Sequence, residues 1–132
     1  MSKWEQHGMH NRVLDALRAV HVANEPHAFR RPFMTAYQLV IKMERADPGL
    51  CEALGYVIGG EGTGHLSFAR YLANQLSSRI GRGEPIADDV EGAFLTNEDV
   101  RGLIYDSPTG PITSTLTGSG LDLSMFRLRT PA

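Results

Sequence analysis

Cysteine is almost missing from this chain. Cys51 stands alone among 132 residues, so no disulfide can close within it. That usage fits a reducing compartment, and a cytoplasmic location is expected. Long apolar runs are missing too. None nears the ~20 residues that span a bilayer, and the opening MSKWEQHGMHN is polar, without the apolar core of a signal peptide. No membrane partner is expected. Nor is positive charge in excess: 13 Lys and Arg face 15 Asp and Glu, for a formal net charge of −2. The whole chain therefore has no bulk pull toward nucleic acid or anionic lipid. Ligand-spaced clusters are lacking as well. His7 and His10 lie close together, but no Cys/His/Asp group at metal-site spacing surrounds them. Without paired carboxylates or a nucleophile triad, neither an enzyme activity nor a cofactor is expected.

What is present is an ordinary globular composition, 42% hydrophobic and 21% charged, at a length that suits one domain. The chain is organised around GGEGTGHLSFARYLANQLSSRI, residues 59–80, where a glycine cluster opens into an amphipathic helix. Leu66, Ala69, Leu72, Ala73, Leu76 and Ile80 recur at spacings of three and four and share one face. Upstream, Val13, Leu14, Leu17 and Val20 mark a first helix with Asn11 as its cap. Thr35 followed by Gln38 is a capping box that opens a second helix ending near Ala46. Asp47-Pro48 starts a short helix that Gly55 closes. Downstream, Thr96 and Asp99 predict a short helix from Asn97 to about Tyr105, after an acidic loop.

Past Gly110 the texture turns β-branched and alternating. It predicts a hairpin over 112–129 that turns at Gly118-Ser119-Gly120 and sends Ile112, Leu116, Leu121 and Leu123 toward the core. The reading is an α+β, mainly helical single domain with a C-terminal β-hairpin. Its parts are an N-terminal helix and linker (1–32), a helical core (33–82), an acidic loop with a short helix (83–111) and the hairpin. Charge follows this division. Residues 30–82 carry seven basic against four acidic side chains, whereas 83–106 carry one against seven.

The glycine cluster is not a nucleotide fingerprint. His65 follows Gly64 where a Walker loop needs lysine, and Gly60, Gly62 and Gly64 have the wrong spacing for a dinucleotide loop. Amides at a helix start still attract anions, so Gly62, Thr63 and Gly64 are the candidate phosphate contacts.

The order of these elements resembles the winged helix-turn-helix family, over residues 33–129 and in pattern alone. In that family the third helix enters the major groove and the hairpin touches the backbone. The resemblance implies a DNA-binding protein, such as a transcriptional regulator, with double-stranded DNA as partner. It places His65, Ser67 and Arg70 at base edges or nearby phosphates. It places Arg79 and Arg82 on the backbone from the other end of the helix, and Arg127 and Arg129 on the hairpin. Arg30, Arg31 and Lys42 would add phosphate contacts. The competing class is a protein-interaction module, an adaptor or inhibitor using an apolar or acidic surface, and the narrow apolar face of the first helix leaves a homodimer open.

Overall fold

Thr35 shows how local chemistry sets this fold. Its hydroxyl accepts from the Gln38 amide at 3.2 Å, and the Gln38 side chain accepts from the Thr35 amide at 2.8 Å. The reciprocal cap, worth about 1 kcal/mol, starts α3 (Ala36–Ala46) as the sequence predicts. The computed structural model describes residues 1–23, 27–114 and 122–129. Among them the helices are α1 (Lys3–Gln6), α2 (Met9–Arg18), α3, α4 (Leu50–Leu54) and α5 (Phe68–Gly81). The strands are β1 (Met34–Thr35), β2 (Val90–Leu95), β3 (Ile104–Ser107), β4 (Gly110–Thr113) and β5 (Leu123–Leu128). The α+β class holds.

Two helix starts differ from the pattern reading. Gly8, at φ 59°, ends α1 and leads into α2, so Asn11 lies inside α2 and does not cap it. The cap of α4 comes from α3: the Glu44 carboxylate accepts from the amides of Gly49 and Cys51. An anion at a helix start is favourable there.

Tyr56-Val57-Ile58 is an extended link tied to the start of α5. The amides of Phe68 and Ala69 donate to the carbonyls of Val57 and Ile58. The two glycines that follow are demanded by space. A Cβ on Gly59 would stand 2.6 Å from the Ser67 hydroxyl, and one on Gly60 would stand 3.3 Å from the Ile112 Cβ. Both also have positive φ, which favours glycine.

The acidic stretch is less of a loop than its composition implies. Val90–Leu95 forms β2, preceded by a 3-10 turn at Pro85–Asp88. The helix expected from Asn97 to Tyr105 does not form. The Thr96 hydroxyl accepts from the Glu98 amide, Asp99 takes φ 59°, and Ile104–Ser107 alternates exposed and buried as strand β3.

The late strands lie where alternation places them, but with earlier partners. β3 and β4 form an antiparallel hairpin turning at Pro108-Thr109. β5 sits between β1 and β2, with Phe126 opposite both Met34 and Gly92. Leu123 is buried and Ile112 half-buried. Leu116, Leu121 and the Gly118–Gly120 turn lie outside the described residues.

One core joins α2, α3, α5 and the inner face of the three-stranded sheet. Leu17, Tyr37, Leu39, Phe68, Leu72, Leu76, Val90 and Phe126 are all nearly sealed from solvent. The β3–β4 hairpin closes over α3, where Tyr105 stacks on Tyr37 at 5.2 Å.

Candidate nucleic-acid interface

The start of α5 decides what its outer face can offer. A 3-10 turn covers Gly64–Leu66, and Ser67 then caps α5 by accepting from the Arg70 amide at 3.1 Å. Ser67 is 1% exposed. Its hydroxyl is spent as a cap, and its part in any interface is to fix where the helix begins. The shift of register leaves Leu66 exposed and buries Phe68 in its place.

Outward from that start, Arg70, Asn74, Ser77, Ser78 and Gly81 are all exposed. Their spacings of three and four put them on one face. Nothing among the described residues pairs the Arg70 guanidinium. The apolar period of the helix leaves Asn74, Ser77 and Ser78 to its other faces, and their spacing from Arg70 puts them beside it. Such a face is narrow, polar and armed with one free cation.

The loop before it divides in two. Gly59 and Gly60 are packed inside, whereas Glu61, Gly62, Gly64 and His65 are exposed. The Thr63 hydroxyl turns inward and donates to the Gly60 carbonyl at 2.8 Å. Glu61 puts a negative charge on the same tip as the two open glycines.

The remaining arginines are drawn into structure. Arg79 lies on the far side of α5, 4.6 Å over the Trp4 ring, and pairs with Glu84 at 2.8 Å. Arg82 pairs with the same carboxylate and donates to the Ser78 hydroxyl. Its hydrogen bond, with both guanidinium charges, holds the Glu84 carboxyl below the usual carboxylate range despite some desolvation. Arg127 pairs with Glu91 at 2.7 Å, donates to the carbonyls of Phe29 and Arg31, and lies over Phe33. Arg129 donates to the Ala87 carbonyl and reaches Glu91 at 3.3 Å.

Strand alternation separates these groups further. Phe126 faces α5, where a groove of about 260 Å³ runs between Ser77, Ile80, Gly81 and Gly92, Phe94. Arg127 therefore faces the other way, against residues 29–33. The structure brings Arg70, His65 and the open glycines to one end of α5. It does not bring Arg127 or Arg129 to the same side. Phe94, 68% exposed at the rim of the groove, joins the α5 face instead.

Cys51 plays no part here. Burial first, then the charge of Glu44 and a hydrogen bond to it, push its thiol up to about 12. Since the thiolate is the reactive form, iodoacetamide at mildly alkaline pH is expected to alkylate the native chain far more slowly than the urea-unfolded chain. Equal rates, read by intact mass, would overturn that burial.

Among the described residues no three His, Cys, Asp or Glu side chains converge as a metal site, and no helix is long and apolar enough to cross a membrane. Comparison with protein-family models, curated proteins and solved structures found no match.

Proposed function

We propose that this chain binds double-stranded DNA through α5, in the manner of a winged helix-turn-helix protein. The observation that carries the reading is the placement of the sheet. A long helix is followed in the chain by β2, which packs beside it and pairs antiparallel with β5, a strand that comes after the β3–β4 hairpin, with β1 as the third strand. α5 presents Arg70 and Asn74 one turn apart, the residue types that pair with guanine and adenine edges. Small side chains at Ser77, Ser78 and Gly81 let the helix approach a groove closely. His65 and the amides of Gly62 and Gly64 are the phosphate contacts at its start, and half-exposed Arg82 lies at its end.

Because most arginines are already paired, the electrostatic share of binding is small. Affinity is expected to fall with salt at a slope of about −0.9 per phosphate, for about 2–3 phosphates. Arg70→Ala is expected to cost about 1–3 kcal/mol on a preferred sequence and less on random DNA. Arg82→Ala weakens all sequences alike. Fluorescence anisotropy with mixed-sequence duplexes at low and moderate salt reads each outcome. No binding at ~10 μM protein in low salt, where non-specific contacts register, would sink the reading.

That failure would favour a protein partner, for which exposed Phe94 and the groove beside it are the specific support. Phe94→Asp would then abolish association and leave the fold intact.

A further inference from the structure

The outer face of the sheet carries a second feature, remote from α5. A cavity of about 1080 Å³ opens between the segment after α2 and residues 27–33, with Arg127 at its base. Its lining includes His21, His27, Arg30, Arg31 and Arg127, and none of its described lining residues is a carboxylate. The volume lies just above the usual range of small-ligand sites.

The cations here are not equivalent. Arg127 is committed to Glu91, to two backbone carbonyls and to the Phe33 ring, and it serves as scaffold. Among the described residues, Arg31 makes one hydrogen bond, a long one of 3.5 Å to the Leu17 carbonyl. Arg30 has no side-chain partner among the described residues, and its backbone sits at φ 67°. That is a conformation glycine adopts freely and a branched chain resists. The turn is closed by the Arg30 amide donating to the His27 carbonyl at 2.9 Å. An arginine is thus held where the backbone favours glycine, and strain of this kind accompanies binding sites.

Next to it in the chain stands an exposed aromatic ring. Phe29 is 80% exposed and meets His27 edge-on at 4.7 Å. The Phe29 amide donates to the His27 Nδ1 at 3.0 Å, which sets the imidazole's position. An exposed ring and two lightly engaged arginines lining one cavity match a ligand with two features: a flat apolar body to lie on the ring, and an anionic group for a bidentate arginine.

We propose that this cavity binds a small aromatic anion, held by the guanidinium groups of Arg30 and Arg31 with its ring against Phe29. An aromatic carboxylate and a nucleoside monophosphate share this chemistry. The site goes beyond the DNA-binding reading and does not depend on it, since the sheet stands between the cavity and α5.

The test is isothermal titration of the full chain with salicylate and with AMP, and with inorganic phosphate and benzyl alcohol as single-feature probes. Salicylate or AMP is expected to bind, and the tighter of the two identifies the source of the anion. The single-feature probes bind at least about tenfold more weakly than it does. Arg30→Gly is expected to lower affinity about tenfold or more while the melting temperature holds or rises, because glycine relieves the backbone. Phe29→Ala lowers affinity with the melting temperature unchanged. Phe29→Ala leaves duplex binding unaffected, and Arg70→Ala leaves the heat of small-ligand binding unaltered. The proposal is overturned if neither salicylate nor AMP binds in the millimolar range. It is equally overturned if binding survives both Arg30→Gly and Phe29→Ala, or if phosphate alone binds as well as AMP.

Discussion

Leu72→Ala is expected to lower the unfolding free energy by about 2–5 kcal/mol, the cost of a large-to-small change in a sealed core. Leu72 is fully buried, and so are Phe68 one turn before it and Leu76 one turn after. Across from them stand Tyr37, Leu39 and Val40 of α3, also sealed. The space left by the lost atoms therefore has rigid walls, which puts the change toward the upper part of that range. A loss of this size is a large part of the stability of a domain this long. Urea unfolding followed by circular dichroism measures it. A midpoint equal to the parent's would mean that α5 does not pack as described. Leu66→Ala, in the same sequence pattern but 49% exposed, is expected to change stability by less than about 0.5 kcal/mol. The pair separates the register seen here from the register in which Leu66 opens the apolar face.

That register shows what a sequence can and cannot reveal here. The capping box at Thr35 and the glycine stop at Gly55 are readable because both are settled within a few residues. The body of α5 is readable from its period. Its start is not, because Leu66 and Phe68 both fit an apolar face, and the Ser67 cap decides between them. Strand partners are less accessible still. β5 alternates clearly, yet it pairs with segments 28–38 and 90–92 residues upstream. No local signal ranks those partners against the nearer β4. β2 is hidden for a different reason: acidic neighbours surround it, and Gly92, opposite Phe126, looks like a turn residue. The candidate interface suffers most from this limit. Arginine types and positions are visible in the chain, but whether each is free depends on carboxylates and carbonyls brought up by the fold.

Arg127 is where that dependence has its largest consequence. Its side chain and that of Glu91 are 16% and 21% exposed, and they meet at 2.7 Å across the β2–β5 ladder. The guanidinium also donates at 2.6 and 3.0 Å to the carbonyls of Phe29 and Arg31 and lies 4.2 Å over the Phe33 ring. It thereby fastens the segment before β1 to the outer face of the sheet. Removing it takes the donor from two carbonyls, one of them at exposed Phe29, and leaves Glu91, among the described residues, with the longer Arg129 contact. For fully buried pairs, loss of one partner costs about 3–5 kcal/mol. The partial exposure of this pair reduces the expected cost of Arg127→Ala to about 2–3 kcal/mol. Arg127→Lys recovers little, because one ammonium cannot serve the carboxylate and both carbonyls in a fixed fork. Glu91→Gln keeps the carbonyl bonds and the ring contact, and is expected to cost about 1 kcal/mol. If Arg127 acted instead as a DNA contact, Arg127→Ala would leave stability within about 0.5 kcal/mol of the parent, as surface changes do, and would lower duplex affinity. Urea unfolding and fluorescence anisotropy on the same variants distinguish the two roles. The structure assigns Arg127 to the fold, so the expected result is a large loss of stability, with duplex binding by the remaining folded fraction unchanged.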